Sequence, residues 1–288
     1  MTEKTFLLGV GAQKCGTSWL HDLIEKSPEA DMGLCKEYHI HDCLTLTDGV
    51  DLKARILRQR DDLREQGPTS SFHKKLFLRA EFLADPSTYY AYFKERLTAP
   101  SKTLTGDFTP SYSGLNTKTL TEINKQMLAH GLRTRVVFLM RDPVERAWSA
   151  IRMVRRRKLE NYPNYVFKID EFEHLRKTYK NPIFELRGDY IKTLARLDQV
   201  FDSDHLFIEF YEQLFSQKVV DRFCTFSGIS RIDADLGKRV NSSPKSLPIP
   251  EDIGLMIARH YSEIYFSLAK RYGEDMIKEL WWSSRFVL

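Results

Sequence analysis

The sequence predicts an α/β protein with a mainly parallel central sheet and helices packed on both of its faces. Three observations lead there. Short apolar runs rich in strand-forming residues stand at 5–10, 135–140 and 205–210. Long segments with helical apolar spacing separate them. The first run enters a glycine-containing loop and then a helical pattern, as a strand–loop–helix unit does.

Taken in order, residues 5–10 read as a buried parallel strand. Residues 17–26 carry Trp19, Leu20, Leu23 and Ile24 at helical spacing and stop before Ser27-Pro28. Residues 103–106 read as a shorter strand. Arg-Val-Val-Phe-Leu-Met at 135–140 and His-Leu-Phe-Ile-Glu-Phe at 205–210 read as two further strands. Amphipathic helices are expected at 183–200 and 254–271. The charged stretch 45–83 and the aromatic-containing stretch 155–177 are poorly patterned, as binding loops and helical lids often are.

Repeats, low-complexity tracts and flexible linkers are absent from the sequence, so one domain is expected over residues 1–288. Apolar content of 42% and charged content of 29% fit a globular chain. The sequence holds no run near the ~20 apolar residues that cross a bilayer. The apolar run at 6–12 is too short for a signal-peptide core, so the mature chain is expected to begin near Met1. Cys15, Cys35, Cys43 and Cys224 lack metal-ligand spacing, and a cytoplasmic setting fits them, although Cys35 and Cys43 could pair. A net charge of +5 suits anionic ligands without demanding nucleic acid. The densest basic run, Arg152, Arg155, Arg156, Arg157 and Lys158, is either the solvated end of a helix or a rim that attracts an acidic acceptor.

The loop after the first strand reads Gly11-Ala12-Gln13-Lys14-Cys15-Gly16-Thr17-Ser18. Its glycines and Ser18 keep the register of a nucleotide P-loop, G-x-x-x-x-G-K-[ST], but Thr17 stands where the lysine belongs. Lys14 lies inside the loop instead. Backbone N–H groups at a helix start suit a phosphate, while the missing lysine argues against γ-phosphate transfer. After 135–140 comes Arg141-Asp142-Pro143-Val144-Glu145-Arg146-Ala147-Trp148-Ser149. Asp142 is placed as an N-cap and Pro143 as the first helical residue. Val144, Ala147, Trp148, Ile151 and Val154 should face the core, leaving Arg141 and Ser149 for a ligand.

Both segments resemble the sulfotransferases that use 3′-phosphoadenosine 5′-phosphosulfate (PAPS), whose fold is the three-layer P-loop type. The glycine loop is similar to their 5′-phosphosulfate loop. Arg141 and Ser149 match the Arg and Ser of the R-D-P-x-x-R-x-x-S segment that holds the donor's 3′-phosphate. Lys36-Glu37-Tyr38-His39 resembles the K-E-x-H segment of the bacterial and heparan-sulfate-like branch, in which the Glu is the base. Gly106-Asp107-Phe108-Thr109-Pro110-Ser111-Tyr112 is similar to that branch's G-E-x-T-P-x-Y, with Asp in place of Glu. Arg187-Gly188-Asp189-Tyr190 matches its R-G-x-Y. A late basic loop closes the donor site in the family, and Lys238 and Arg239 correspond to it by composition.

The resemblance implies sulfuryl transfer from PAPS to a hydroxyl or amine. Gln13, Lys14, Cys15, Gly16, Thr17, Ser18, Arg141, Ser149, Lys238 and Arg239 would hold the donor, and Lys14 would stabilise charge on the oxygen between phosphorus and sulfur. Glu37 is the expected base, reached from a strand that precedes it, with His39 as the alternative. The sulfuryl group carries less charge than a phosphoryl group, so no metal is expected. The partner is a small-molecule, lipid or carbohydrate acceptor. Two other functions are compatible with the loop: a P-loop kinase with Asp142 on magnesium, and a non-catalytic protein that binds adenosine 3′,5′-bisphosphate.

Overall fold

The computed structural model describes residues 3–65, 67–237 and 248–288. Four parallel strands, β1 (Thr5–Gly11), β2 (Leu104–Asp107), β3 (Arg133–Met140) and β4 (Leu206–Phe210), form a sheet in the order β2-β1-β3-β4. Every residue of β1 is buried, as a central strand covered on both faces requires. The register pairs Leu7 with Gly106 on one side and with Arg135 on the other.

Between β1 and β2 lie α1 (Thr17–Ile24), α2 (His41–Thr45), α3 (Val50–Asp62), α4 (Ser71–Ala84) and α5 (Ser87–Arg96). The chain then crosses β1 through α6 (Thr117–Ala129) to reach β3. Strand order therefore reverses at β1, and such a reversal opens a crevice at the carboxyl strand ends. From β3 the chain runs through α7 (Pro143–Asn161), α8 (Glu171–Thr178), α9 (Pro182–Leu186) and α10 (Tyr190–Val200) to β4. It ends in α11 (Tyr211–Leu214), α12 (Gln217–Ser227), α13 (Glu251–His260), α14 (Ser262–Tyr272) and α15 (Glu274–Leu280).

Several expectations need correction. The helix expected over 183–200 is two helices, because Gly188 breaks the first and Asp189 caps the second through Lys192 N. Likewise 254–271 divides at Tyr261, whose hydroxyl donates to the Tyr179 carbonyl at 2.7 Å. The stretch 45–83 is largely α3 and α4. No strand lies between α1 and Glu37 among the described residues; that segment meets the sheet at one isolated bridge, Ala30 to Leu104.

Beside β1 and β2 the core is aromatic: Phe6 meets Phe93 at 4.8 Å, and Phe93 meets Tyr38 at 5.2 Å. At the other side Trp281, fully buried, packs against Tyr190, Phe210 and Tyr265. Edge-to-face contacts of this kind add about 0.5–1.5 kcal/mol per pair beyond burial. They also bring the C-terminal segment against the start of α7.

Candidate active site

The glycine loop leaves β1 with Ala12 N donating to the Leu139 carbonyl at 2.7 Å, which extends the β1–β3 ladder by one bond. Lys14 (φ +70°) and Gly16 (φ +95°) are both left-handed, so the backbone curls around Cys15 into the first turn of α1. Gly16 has a second constraint: a Cβ there would lie 2.5 Å from the Leu214 side chain. The opening N–H groups of α1 have no partner within the helix and, with its dipole, suit an anion. Cys15 is fully buried, with Sγ 3.7 Å from the Tyr190 hydroxyl; burial pushes its thiol up to about 12. Its side chain points into the core, toward Tyr190.

Tyr190 links the loop to β3. Its hydroxyl donates to the Arg141 carbonyl at 2.8 Å, accepts from Arg141 N at 3.3 Å and touches Cys15. Gly188, two residues earlier, makes room for the buried Arg146, since a Cβ at this position would fall 2.6 Å from Nη2 of Arg146. The R-G-x-Y segment thus works as a clamp between loop and strand.

Asp142 caps α7 by accepting from Val144 N at 2.8 Å and Glu145 N at 3.4 Å. Ser283 adds its N–H and hydroxyl to the same carboxylate, at 3.1 and 2.7 Å. Arg141 is nearly buried over the Tyr211 ring at 4.2 Å, with Nη2 on Glu145 at 2.9 Å and Nη1 3.4 Å from the Lys14 carbonyl. Ser149 is buried on the same helix, whereas Val154, expected in the core, is exposed. Arg152 is buried instead, lying over the Trp148 ring at 4.2 Å.

Lys14 is held down to about 8, first by burial and then by the charges of Arg156, Arg141, Arg157 and Arg152. Part of the basic run therefore converges on the loop. Such a concentration of positive charge suits an anion.

A second set of groups adjoins the loop from β2. Phe108 N donates to the Lys36 carbonyl at 2.9 Å, and Tyr38 N donates to Asp107 at 3.3 Å. These bonds bring Glu37 to the carboxyl end of the sheet without a strand directly before it. Lys36 Nζ donates to Glu37 at 2.7 Å and to the Thr17 hydroxyl at 3.3 Å. His39, at φ +57°, reaches Glu37 through Nε2 at 3.2 Å and Asp42 through Nδ1 at 2.6 Å. Ser111 donates to the same Asp42 oxygen. Both ring nitrogens face carboxylates, so the ring holds two protons. Burial opposes the imidazolium, but hydrogen bonds to Asp42 and Glu37 outweigh it and raise His39 to about 9. Burial also pushes Glu37 up, yet His39 and Lys36 hold it well below the usual carboxylate range. Its side chain keeps 34% exposure.

Asp107 is fully buried and cannot touch an acceptor. It accepts from Thr109, Tyr112, Tyr89 and Tyr38 N, while burial pushes it up to about 6. It anchors the segment carrying Glu37. The sequence reading gives Lys36 and Ser111 no role beyond membership of their segments and does not reach Asp42; only the E-x-H-x-x-D spacing could have flagged Asp42. Lys238 and Arg239 lie outside the described residues.

A family model described as the sulfotransferase domain matches residues 4–252. The chain belongs to the sulfotransferase family. No curated protein matched it. Among solved structures, this sulfotransferase is similar to one from Alicyclobacillus acidocaldarius at 16% identity and a TM-score of 0.57, covering 93% of this chain and 96% of that one. The sulfotransferase domain of the Synechococcus PCC 7002 olefin synthase matches at 15% identity and a TM-score of 0.46, over 91% and 95% of the two chains. The first of these bears out the fold: a parallel sheet between helical layers, P-loop-like. None of the helices among the described residues is long and apolar enough to cross a membrane.

Proposed function

We propose that this sulfotransferase moves a sulfuryl group from PAPS to a hydroxyl or amine by in-line displacement. The observation that carries the reading is the junction of the two halves of the site. The phosphate-type loop with Lys14 and the ionised Glu37 meet through one hydrogen-bonded bridge, Thr17–Lys36–Glu37. Arg141 and Ser149 take the 3′-phosphate; the N–H groups of Gly16, Thr17 and Ser18 take the 5′-phosphate. Gln13 belongs to the same loop.

In the reaction the acceptor oxygen forms a bond to sulfur as the bond from sulfur to the phosphate-bridging oxygen breaks. Glu37 takes the acceptor's proton, and Lys14 and the loop stabilise charge on the departing adenosine 3′,5′-bisphosphate. His39 holds two protons already, so it orients Glu37 and does not act as base. The Lys36–His39 pattern supports placement in the bacterial and heparan-sulfate-like branch, and four buried, unpaired thiols support a reducing, cytoplasmic setting. A kinase reading has less support, because Asp142 is committed to the α7 cap and to Ser283.

Calorimetry tests the donor assignment. Adenosine 3′,5′-bisphosphate should bind far more tightly than AMP, and Arg141→Ala should cost the bisphosphate about 1.5–3 kcal/mol while barely changing AMP. Equal affinities would remove the assignment. Turnover with donor labelled in the sulfuryl group separates an enzyme from a non-catalytic binder.

A further inference from the structure

The second half of α7 is more basic than the donor alone accounts for. The helix carries six basic and two acidic residues, and five of the basic ones fall between Arg152 and Lys158. Cations are favourable near any helix C-terminus, but two observations go beyond that. First, the side chains are ordered on aromatic partners: Arg155 over Phe167 at 3.8 Å, and Lys158 over Tyr162 at 4.2 Å and Tyr165 at 4.7 Å. Second, Tyr162, Tyr165 and Val166 remain exposed beside them, at 59%, 43% and 82%. A surface that is cationic and apolar together suits a ligand with both characters.

Position sets this surface apart from the donor site. Arg156 stands seven residues beyond Ser149, about 10 Å along the helix axis at ~1.5 Å per residue. It also has the largest effect among the charges that depress Lys14, ahead of Arg141. Lys14 marks the sulfuryl end of the donor. A group held by Arg156 and Arg157 would therefore lie toward Lys14 and away from the 3′-phosphate end at Ser149.

Resting on the sulfuryl-transfer reading, we propose that the second half of α7 and the turn after it form an acceptor rim. Arg156 and Arg157 take an anionic group on the acceptor, and Tyr162 and Tyr165 its apolar body. The substrate class is a hydroxylated ring or chain that already bears a carboxylate, sulfate or phosphate. Glu160, 3.3 Å from Arg156, holds that guanidinium until the acceptor binds.

The test uses the full chain saturated with adenosine 3′,5′-bisphosphate, so failure of the donor reading is seen first, as failure to saturate. Ligand-observed NMR then gives the affinities of 4-hydroxyphenylacetate and the neutral 4-ethylphenol. The carboxylate should bind about tenfold more tightly, the worth of one charge-assisted hydrogen bond. That preference should shrink at high salt and vanish in Arg156→Gln/Arg157→Gln. The single variant of the exposed Arg157, Arg157→Gln, serves as a milder second probe and should lose part of it. Bisphosphate affinity should fall by a smaller factor than the carboxylate's in both variants, through the weaker positive charge around Lys14 alone. Equal binding of the two phenols, no binding of either, or a preference that survives the double variant overturns the proposal. So does a matching loss of bisphosphate affinity, which would return these arginines to the donor.

Discussion

At Glu37 burial and pairing pull in opposite directions, and pairing prevails: Lys36 and His39 keep the carboxylate charged. A strongly held carboxylate is a weak base, so its contribution comes from position at the moment the acceptor hydroxyl gains acidity. Glu37→Gln preserves shape and should leave donor affinity intact. It should cut kcat by about 10²–10⁴ for a poorly acidic alcohol and by much less for a nitrophenol, which ionises without help. Wild-type rates with the alcohol would move the base elsewhere. His39 acts through Glu37, and its variant should look different. In His39→Gln the carboxylate loses its largest favourable partner, so its pKa rises. The acid limb of the pH–rate profile should then move up toward neutral pH while the alkaline limb stays. A role for His39 in folding alone would lower the amplitude and leave both limbs in place.

At the level of elements, the legible parts are those where local chemistry and tertiary role agree. The strand runs 135–140 and 205–210 read as strands because both faces are covered, so apolar residues run without alternation. Asp142-Pro143 read as a helix start because cap and first turn are local. What escaped depends on distant segments. Val154 keeps helical spacing yet is exposed, and Arg152 is buried with its guanidinium over the Trp148 ring. Glu37 reaches the strand ends through Asp107, seventy residues on in sequence. The R-G-x-Y segment shows the same limit, since its match was visible and its work was not. Gly188 is required by Arg146, and Tyr190 by the loop and β3 together. Gly188→Ala would set a methyl group 2.6 Å from Nη2 of the buried Arg146, so that guanidinium must shift. It should cost about 1–3 kcal/mol of stability and weaken bisphosphate binding beyond what that loss explains, because Arg141 and the loop would separate. Thermal unfolding and calorimetry on one preparation check both. A loss of stability with unchanged affinity would reduce the segment to packing.

Across the whole molecule, the reversal of strand order at β1 gathers positive charge from elements far apart in the chain: Lys14 after β1, Arg141 after β3, and Arg152, Arg156 and Arg157 along α7. Without a ligand that arrangement opposes folding. The folded pKa of Lys14, about 8, lies below the unfolded value of 10.5. The penalty is therefore absent above the unfolded value, grows as pH falls between the two, and is complete below about pH 8. An anion in the site reverses the balance by favouring the charged lysine, so above pH 8 binding takes up a proton. Adenosine 3′,5′-bisphosphate at 100 times its dissociation constant should stabilise the protein by about 2.7 kcal/mol, a rise of roughly 5 °C in unfolding temperature for a chain of this size. At fixed ligand concentration that rise should shrink as pH climbs through 8, because less Lys14 is charged beforehand. It should also shrink toward 1 M salt, where the screening length falls to about 3 Å. Scanning calorimetry at pH 7 and 9, each at low and high salt, measures all four conditions. A rise independent of both pH and salt would mean that the bisphosphate binds without the Lys14 cluster, and the cations gathered at the sheet edge would then need another anion to explain them.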